Sequence, residues 1–226
     1  MVFGLAMAAL APASATECPH PEALSTFRVL AVDPHATPRV GRKQFPQTLP
    51  LAAMEVVLTF DDGPRQGTTE RVLDALKREC VRATFFLLGR NAAEAPALVR
   101  RERAEAEIDR GIAAVETALQ HEQPAPFFRF PGFASSPALL DRLASRGLIV
   151  FGADLWASDW NQMTPGQQLQ LVLARLAKNR GGIVLFHDTK AQTAAMLPAF
   201  LRELKARGYR IVHVVPAPAP AEDGPP

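Results

Sequence analysis

Asp61 and Asp62 stand side by side at the end of the apolar run "EVVLTF", immediately before Gly63 and Pro64. Two carboxylates at such close range disfavour double ionisation, so each needs a compensating partner. A metal ion on one and an arginine on the other is one solution; capping of the following helix is another. Three later apolar stretches end on groups of the same kind: Arg129 in "RFP", Asp154 and Asp159 in "ADLWASDW", and His187 with Asp188 in "LFHD". Each of these signals is modest, and the ordered set is strong. Each has a plainer reading when taken alone. His187 can be a satisfied core histidine, Arg129 can stack and snorkel, and Trp156 and Trp160 can fill a core instead of lining a sugar-binding groove.

Groups scattered along a chain act together only if the elements beneath them end on one face. The residues Val56–Phe60 read as a strand, and "ERVLDALKREC" as a helix capped by Thr68 or Thr69, with Val72, Leu73 and Leu76 on one face. "ATFFLLG" reads as a strand buried on both sides, which completes a strand–helix–strand unit. A long helical stretch over residues 96–119 weakens in the middle at "RRERAEAE". "PFFRFPGF" then reads as a strand leaving into a loop, and residues 135–147 as a capped helix ending on Gly147. "LIVFGADLW" reads as one strand, "TPGQQLQLVLARLAKN" as a helix with proline in its first turn, and "GGIVLFHD" as a strand. A helix over "TAAMLPAFLRELKARG" and a last strand "YRIVHVVP" follow. Such alternation is the layout of an α/β barrel or a doubly wound sheet, whose sites form at the strand C-terminal ends.

In order, "TFDDGP", "RFPGF", "DLWASDW" and "IVLFHD" resemble four of the motifs of the polysaccharide deacetylases that share the NodB homology domain. The resemblance covers about residues 49–215. It implies a distorted (β/α) barrel and removal of N- or O-acetyl groups from polysaccharides or oligosaccharides with the help of a divalent metal of the zinc or cobalt type. Position by position, it implies Asp61 as the general base, Arg129 holding Asp61 ionised, Asp62 as a metal ligand and His187 as the general acid. An aspartate of the fourth motif would tune His187; the spacing leaves Asp154 or Asp159, and Asp159 is preferred because it directly precedes Trp160. Pro131, Trp160 and Leu185 would contact substrate, Leu185 by shaping the pocket for the acetyl methyl. An aspartate-nucleophile phosphatase is a weaker reading, since such sites need Asp-x-Asp and the residue two after Asp61 is Gly63.

One family motif has no counterpart. The family completes its metal site with a His-x-x-x-His pair between the strands "ATFFLLG" and "PFFRFPG". The chain has five histidines, His20, His35, His121, His187 and His213, and none is paired at that spacing. The weak middle of the long helix is where a segment, with one strand of the barrel, is expected to be missing. His121 is the nearest substitute ligand, with Glu102, Glu105 and Glu107 as poorer ones. A carboxylate without imidazoles grips zinc poorly, so a non-catalytic glycan-binding descendant stands as the alternative.

Composition agrees with a single catalytic-size domain. The 226 residues are 48% hydrophobic with a formal net charge of +2, which suggests no nucleic-acid partner. Residues 1–15 read as a signal peptide, an apolar run meeting "ASA", too short to span a bilayer. Residues 16–50 read as an extended lead-in, 51–215 as the deacetylase-like domain, and 216–226 as a disordered Pro-rich tail. Export, to the periplasm or beyond the cell, would let Cys18 and Cys80 pair; two free thiols are the other reading.

Overall fold

The computed structural model describes residues 18–87, 112–113 and 124–218. The segment expected to be a signal peptide, most of the expected long helix with its expected missing strand, the candidate ligands Glu102, Glu105, Glu107 and His121, and the end of the Pro-rich tail lie outside them.

Every strand pairing is parallel. The central strand β3, Glu55–Asp61, is buried along its length until Asp61, as its unbroken apolar and β-branched run demands. On one side it pairs throughout with β8, Gly182–His187. On the other, β9 (Arg210–Pro216) pairs with Glu55 and Val56, then β4 (Thr84–Phe86) takes over at Thr59 to Asp61. β1 (Thr26–Val32) extends this sheet beyond β9, and β7 (Leu155–Trp156) extends it beyond β8. A second sheet joins β2 (Arg39–Val40), β6 (Ile149–Phe151) and β5 (Phe127–Phe128). Helices α1 (Thr69–Arg78), α2 (Pro137–Ser145), α3 (Pro165–Asn179) and α4 (Ala191–Ala206) alternate with the strands. The result is an α/β fold of the distorted (β/α) barrel kind, whose described strands make two sheets and not a closed ring.

Strand side chains alternate between faces, which sorts this chain cleanly. Val56, Leu58, Phe60, Val184 and Phe186 pack outward against Val72, Leu76, Leu173, Leu197 and Phe200 of the helices. Val57, Ile183, Val212 and Val214 face inward, with Val32 and Phe151. By the same period Thr59, Asp61, Leu185 and His187 also face inward. Parallel strands end together, so Asp61, Trp156 and His187 rise at one end of the sheet.

The helix starts follow their residues. Ser136 accepts from the Leu139 amide at α2, and Thr164 with Gln167 forms a capping box at α3. Several expectations need correction. Thr68 takes the N-cap position of α1, but its hydroxyl donates to the Arg65 carbonyl and makes no cap bond, while Thr69 is the first residue of the helix. Leu73 is 48% exposed; Thr69, Val72, Ala75 and Leu76 form the buried face. β4 is half-buried and not sealed on both sides. The lead-in is not merely extended: β1 and β2 lie within it, and a disulfide joins Cys18 to Cys80 just beyond α1. "LIVFGADLW" is two strands in different sheets, broken at Gly152 to Asp154. There the lead-in passes so close that a Cβ on Gly41 would lie 2.5 Å from the Ala153 nitrogen, and one on Gly152 would lie 2.3 Å from Gln44 Oε1.

Candidate active site

Asp61 and His187 are direct register partners on β3 and β8. Arg129, just after β5, reaches across the barrel interior to meet the first of them. Its Nη1 donates to Asp61 Oδ1 at 2.6 Å and to Thr59 Oγ1 at 2.9 Å. Its Nε and Nη2 donate to the carbonyls of Phe151 and Gly152, and its guanidinium lies 4.2 Å from the centre of the Phe86 ring. Thr59 Oγ1 in turn donates to the Val184 carbonyl. Arg129 is thus buried with its donors divided among four acceptors. Burial pushes the Asp61 carboxyl above the usual carboxylate range, against the pull of the Arg129 charge and hydrogen bond.

Asp159, in the loop after β7, does the corresponding work for His187. Its Oδ1 lies 2.7 Å from His187 Nδ1, and its Oδ2 accepts from the His187 amide and from Thr193 Oγ1, each at 2.7 Å. Gln168 Nε2 donates to Thr193 Oγ1, so a buried chain from α3 through α4 holds the carboxylate. Gln192 Nε2 clasps the carbonyls of Asp159 and Asn161. Burial lowers the His187 pKa, but the Asp159 hydrogen bond and the charges of Asp159, Asp62 and Asp61 outweigh it and leave the imidazole raised. Asp154 is employed elsewhere: its carboxylate accepts from the Arg42 amide, Thr48 Oγ1 and the Ile183 amide. Of the two aspartates, it is Asp159 whose carboxylate meets the His187 ring and amide.

Asp62 lies at the rim with φ +72°, its Oδ2 3.7 Å from His187 Nε2. Gly63 follows because nothing larger fits: an added Cβ would lie 2.1 Å from Asp188 Oδ2. Asp188 is fully buried beneath this turn and accepts from Thr69 Oγ1 at 2.5 Å. Its burial raises its carboxyl, against the Thr69 hydrogen bond. The sequence pairs Asp188 with His187 but does not reveal this role under the turn; it offers Thr69 only as a helix cap and gives no part to Thr59, Thr193 or Gln168. The lone available signal was the glycine directly after two aspartates.

A divalent ion is implied by the family resemblance, with Asp62 as one ligand. Among the described residues no group of three or more His, Cys, Asp or Glu side chains comes together as an ion site. Asp62 brings one carboxylate, and the nearest imidazole spends its Nδ1 on Asp159. Among the described residues these two side chains alone do not make up the three protein ligands that a zinc-type ion takes.

Aromatic rings border the acid–base pair. Trp160 is 47% exposed and stands edge-on to His187, with ring centroids 5.9 Å apart. Trp156 lies 5.8 Å from Trp160, and Phe133 stacks on Trp156 at 6.3 Å. Pro131 is exposed at the start of the 3-10 turn Pro131–Phe133. Leu185 is only 1% exposed, between Thr59 of β3 and Trp156 of β7 in the register.

An α/β fold carrying Asp–Arg and His–Asp pairs at the ends of adjacent parallel strands defines a class of hydrolase-type domain. Residues 50–109 match the family model described as polysaccharide deacetylase. A peptidoglycan-N-acetylglucosamine deacetylase of Bacillus cereus is 31% identical over 185 residues, covering 67% of this chain and 66% of that protein. The enzyme PgdA of Listeria monocytogenes, of the same description, is 34% identical over 177 residues, 70% of this chain and 38% of that protein. Among solved structures, a peptidoglycan deacetylase of Bdellovibrio bacteriovorus superimposes with a TM-score of 0.76 at 31% identity, covering 88% of this chain and 62% of that one. This chain belongs to the polysaccharide deacetylase family. It spans well under half the length of the Listeria relative.

Proposed function

We propose that this chain binds acetylated polysaccharide or oligosaccharide along the Trp160 rim and removes the acetyl group of an N-acetylated sugar. The observation that carries the reading is that the Asp61–Arg129 and His187–Asp159 pairs meet on register partners of adjacent strands. Asp61 accepts a proton from water as the water oxygen attacks the acetyl carbonyl carbon. As the C–N bond breaks, His187 Nε2 delivers its proton to the departing amine, leaving acetate and a free amino sugar. Asp159 orients the imidazole and favours its cationic form; Arg129 keeps the Asp61 oxygen in place. Burial raises the Asp61 carboxyl and the carboxylates around His187 raise its imidazole, directions that suit a proton acceptor and a proton donor. Leu185 would shape the pocket for the acetyl methyl, and Pro131 would contact the sugar.

A second reading has its own observation: the described residues do not assemble an ion site. On that reading the groove and its tryptophans hold acetylated glycan without cleaving it. Acetate release from a chitin tetramer, with zinc or cobalt added, separates the two. Release that disappears in Asp61→Asn and His187→Gln supports hydrolysis; binding without release supports the second reading; neither binding nor release overturns both.

We propose further that the protein is exported to the periplasm or secreted. The Cys18–Cys80 bridge supports this, since disulfides persist in oxidising compartments. No helix of the described residues is long and apolar enough to cross a membrane. Two free thiols on titration of the denatured, unreduced protein would overturn the assignment.

A further inference from the structure

The stretch from Trp156 to Asn161 does two jobs. It carries Trp156 and Trp160 of the aromatic border and, between them, the Asp159 that meets His187. Ala157, Ser158 and Asp159 are buried, yet Trp160 beside them stands half in solvent. Ser158 holds φ +54°, a left-handed conformation that a residue with a Cβ rarely adopts. Such a turn persists only where its surroundings hold it.

Two helices supply that hold, and they grip different parts of the loop. Arg175, in the third turn of α3, donates from Nη1 to the Trp156 carbonyl at 2.5 Å and to Ser158 Oγ at 2.7 Å. Nη1 has two protons, one for each oxygen. Among the described residues no carboxylate pairs with Arg175, so this charged donor is directed at the loop alone. From α4, Gln192 donates to the carbonyls of Asp159 and Asn161, and the Thr193 hydroxyl donates to the Asp159 carboxylate. Thr193 therefore acts on one side chain. Arg175 acts on the turn from which Asp159 and Trp160 both project.

We propose that Arg175 is a positioning residue for the proposed deacetylation. By holding Ser158 in its turn it sets the directions of Asp159 and Trp160 together, so the proton donor and the aromatic rim keep one spacing. Without it the Trp156 carbonyl and the Ser158 hydroxyl lose a charged donor, and Ser158 relaxes toward the backbone its Cβ favours. Glycan binding and proton delivery then weaken together. Loss of the Thr193 hydroxyl leaves the turn standing and weakens proton delivery alone. The inference rests on the proposed glycan deacetylation and deepens it.

Trp156 and Trp160 are the chain's only tryptophans, so its tryptophan fluorescence reports this loop directly. Arg175→Met keeps the apolar stem and removes both bonds. It is expected to open the tryptophans to quenching by acrylamide and to weaken calorimetric binding of the N-acetylglucosamine tetramer about tenfold. In acetate release it should raise KM and lower kcat together. Arg175→Lys, whose one ammonium can serve the two oxygens that Nη1 serves, is expected to recover most of each loss. Ser158→Ala is a milder change that removes one of the two acceptors; it should show the same pattern at about threefold, and it carries the test if Arg175→Met does not fold. Thr193→Val is expected to lower kcat with quenching and tetramer binding as in the wild type. Quenching and binding left unchanged by Arg175→Met and Ser158→Ala would overturn the proposal, as would a Thr193→Val protein that reproduces the whole pattern. Wild-type binding without acetate release would overturn hydrolysis, and the quenching and binding arms would still decide whether Arg175 sets the rim. A wild type that neither binds nor cleaves would overturn the glycan reading and this role within it.

Discussion

Strand β3 carries a buried carboxylate–arginine pair at each end, and the two pairs behave in opposite ways. At its start, Glu55 meets Arg28 through two bonds, Nε to Oε1 at 2.9 Å and Nη2 to Oε2 at 2.7 Å. The Ala52 amide adds a third donor, and Arg28 keeps 32% of its side chain in solvent. The Arg28 hydrogen bond outweighs burial, and the Glu55 pKa falls from 4.5 to about 2. At its end, Asp61 meets Arg129 through one nitrogen, because the rest of that guanidinium serves Phe151 and Gly152, and the arginine side chain is 2% exposed. There burial dominates and the carboxyl rises. The difference shows how one residue pairing makes either a staple or a reactive group. What decides is whether the arginine is hydrated and meets its carboxylate through two nitrogens, or dry and divided among several acceptors.

The largest effect expected from breaking this comparison comes from Arg129→Met. It leaves Asp61 buried without a cation and four acceptors unpaired, and should cost about 3–5 kcal/mol in a denaturant melt. Arg129→Lys should rescue little, since one ammonium cannot span the same acceptors. Next, Asp159→Asn removes the charge that raises His187. The imidazole titration, followed by NMR, should move down, and any acetate release should fall by about a hundredfold or more.

Glu55 gives a pH signature of the opposite end. Its folded value is depressed, so its contribution is complete above the unfolded value of 4.5 and is lost as pH falls toward about 2. Glu55→Gln should cost about 1–2 kcal/mol at neutral pH and flatten the loss of stability over that acid range. A wild-type protein whose stability is level across the same range would contradict the assignment. The smallest effect is expected from Arg28→Lys, about 1 kcal/mol or less by thermal melt, because the half-solvated ammonium can still meet Glu55. If Arg28→Lys proved as costly as Arg129→Lys, the contrast between the two ends would fail.

Much of this arrangement was legible beforehand. β3 and β8 are continuous apolar runs that only a buried strand satisfies, and the polar residues terminating them mark where the barrel opens. The capped helix over residues 135–147 and the proline in the first turn of α3 are local chemistry and are readable for that reason. β1 escaped notice because its partner is β9, and the parallel register that orders Thr26–Val32 is set by residues 211–216 at the far end of the chain. The break in "LIVFGADLW" was equally hidden. Nothing in its apolar run announces that Gln44 and Gly41 will press against Gly152 and Ala153.

The amino-acid sequence by itself determined which groups are available and that they end strands: Asp61, Asp62, Arg129, Asp159 and His187 follow apolar segments whose periodicity leaves little choice of element. Local pattern suffices for that, because hydrophobic burial acts residue by residue. Only the tertiary structure decided which carboxylate serves which partner. Asp154 and Asp159 are near neighbours in the chain with the same chemistry, yet one anchors the lead-in and the other orients His187. Hydrogen-bond partners and desolvation are properties of the assembled neighbourhood, and they are what turn Asp61 upward and Glu55 downward along one strand.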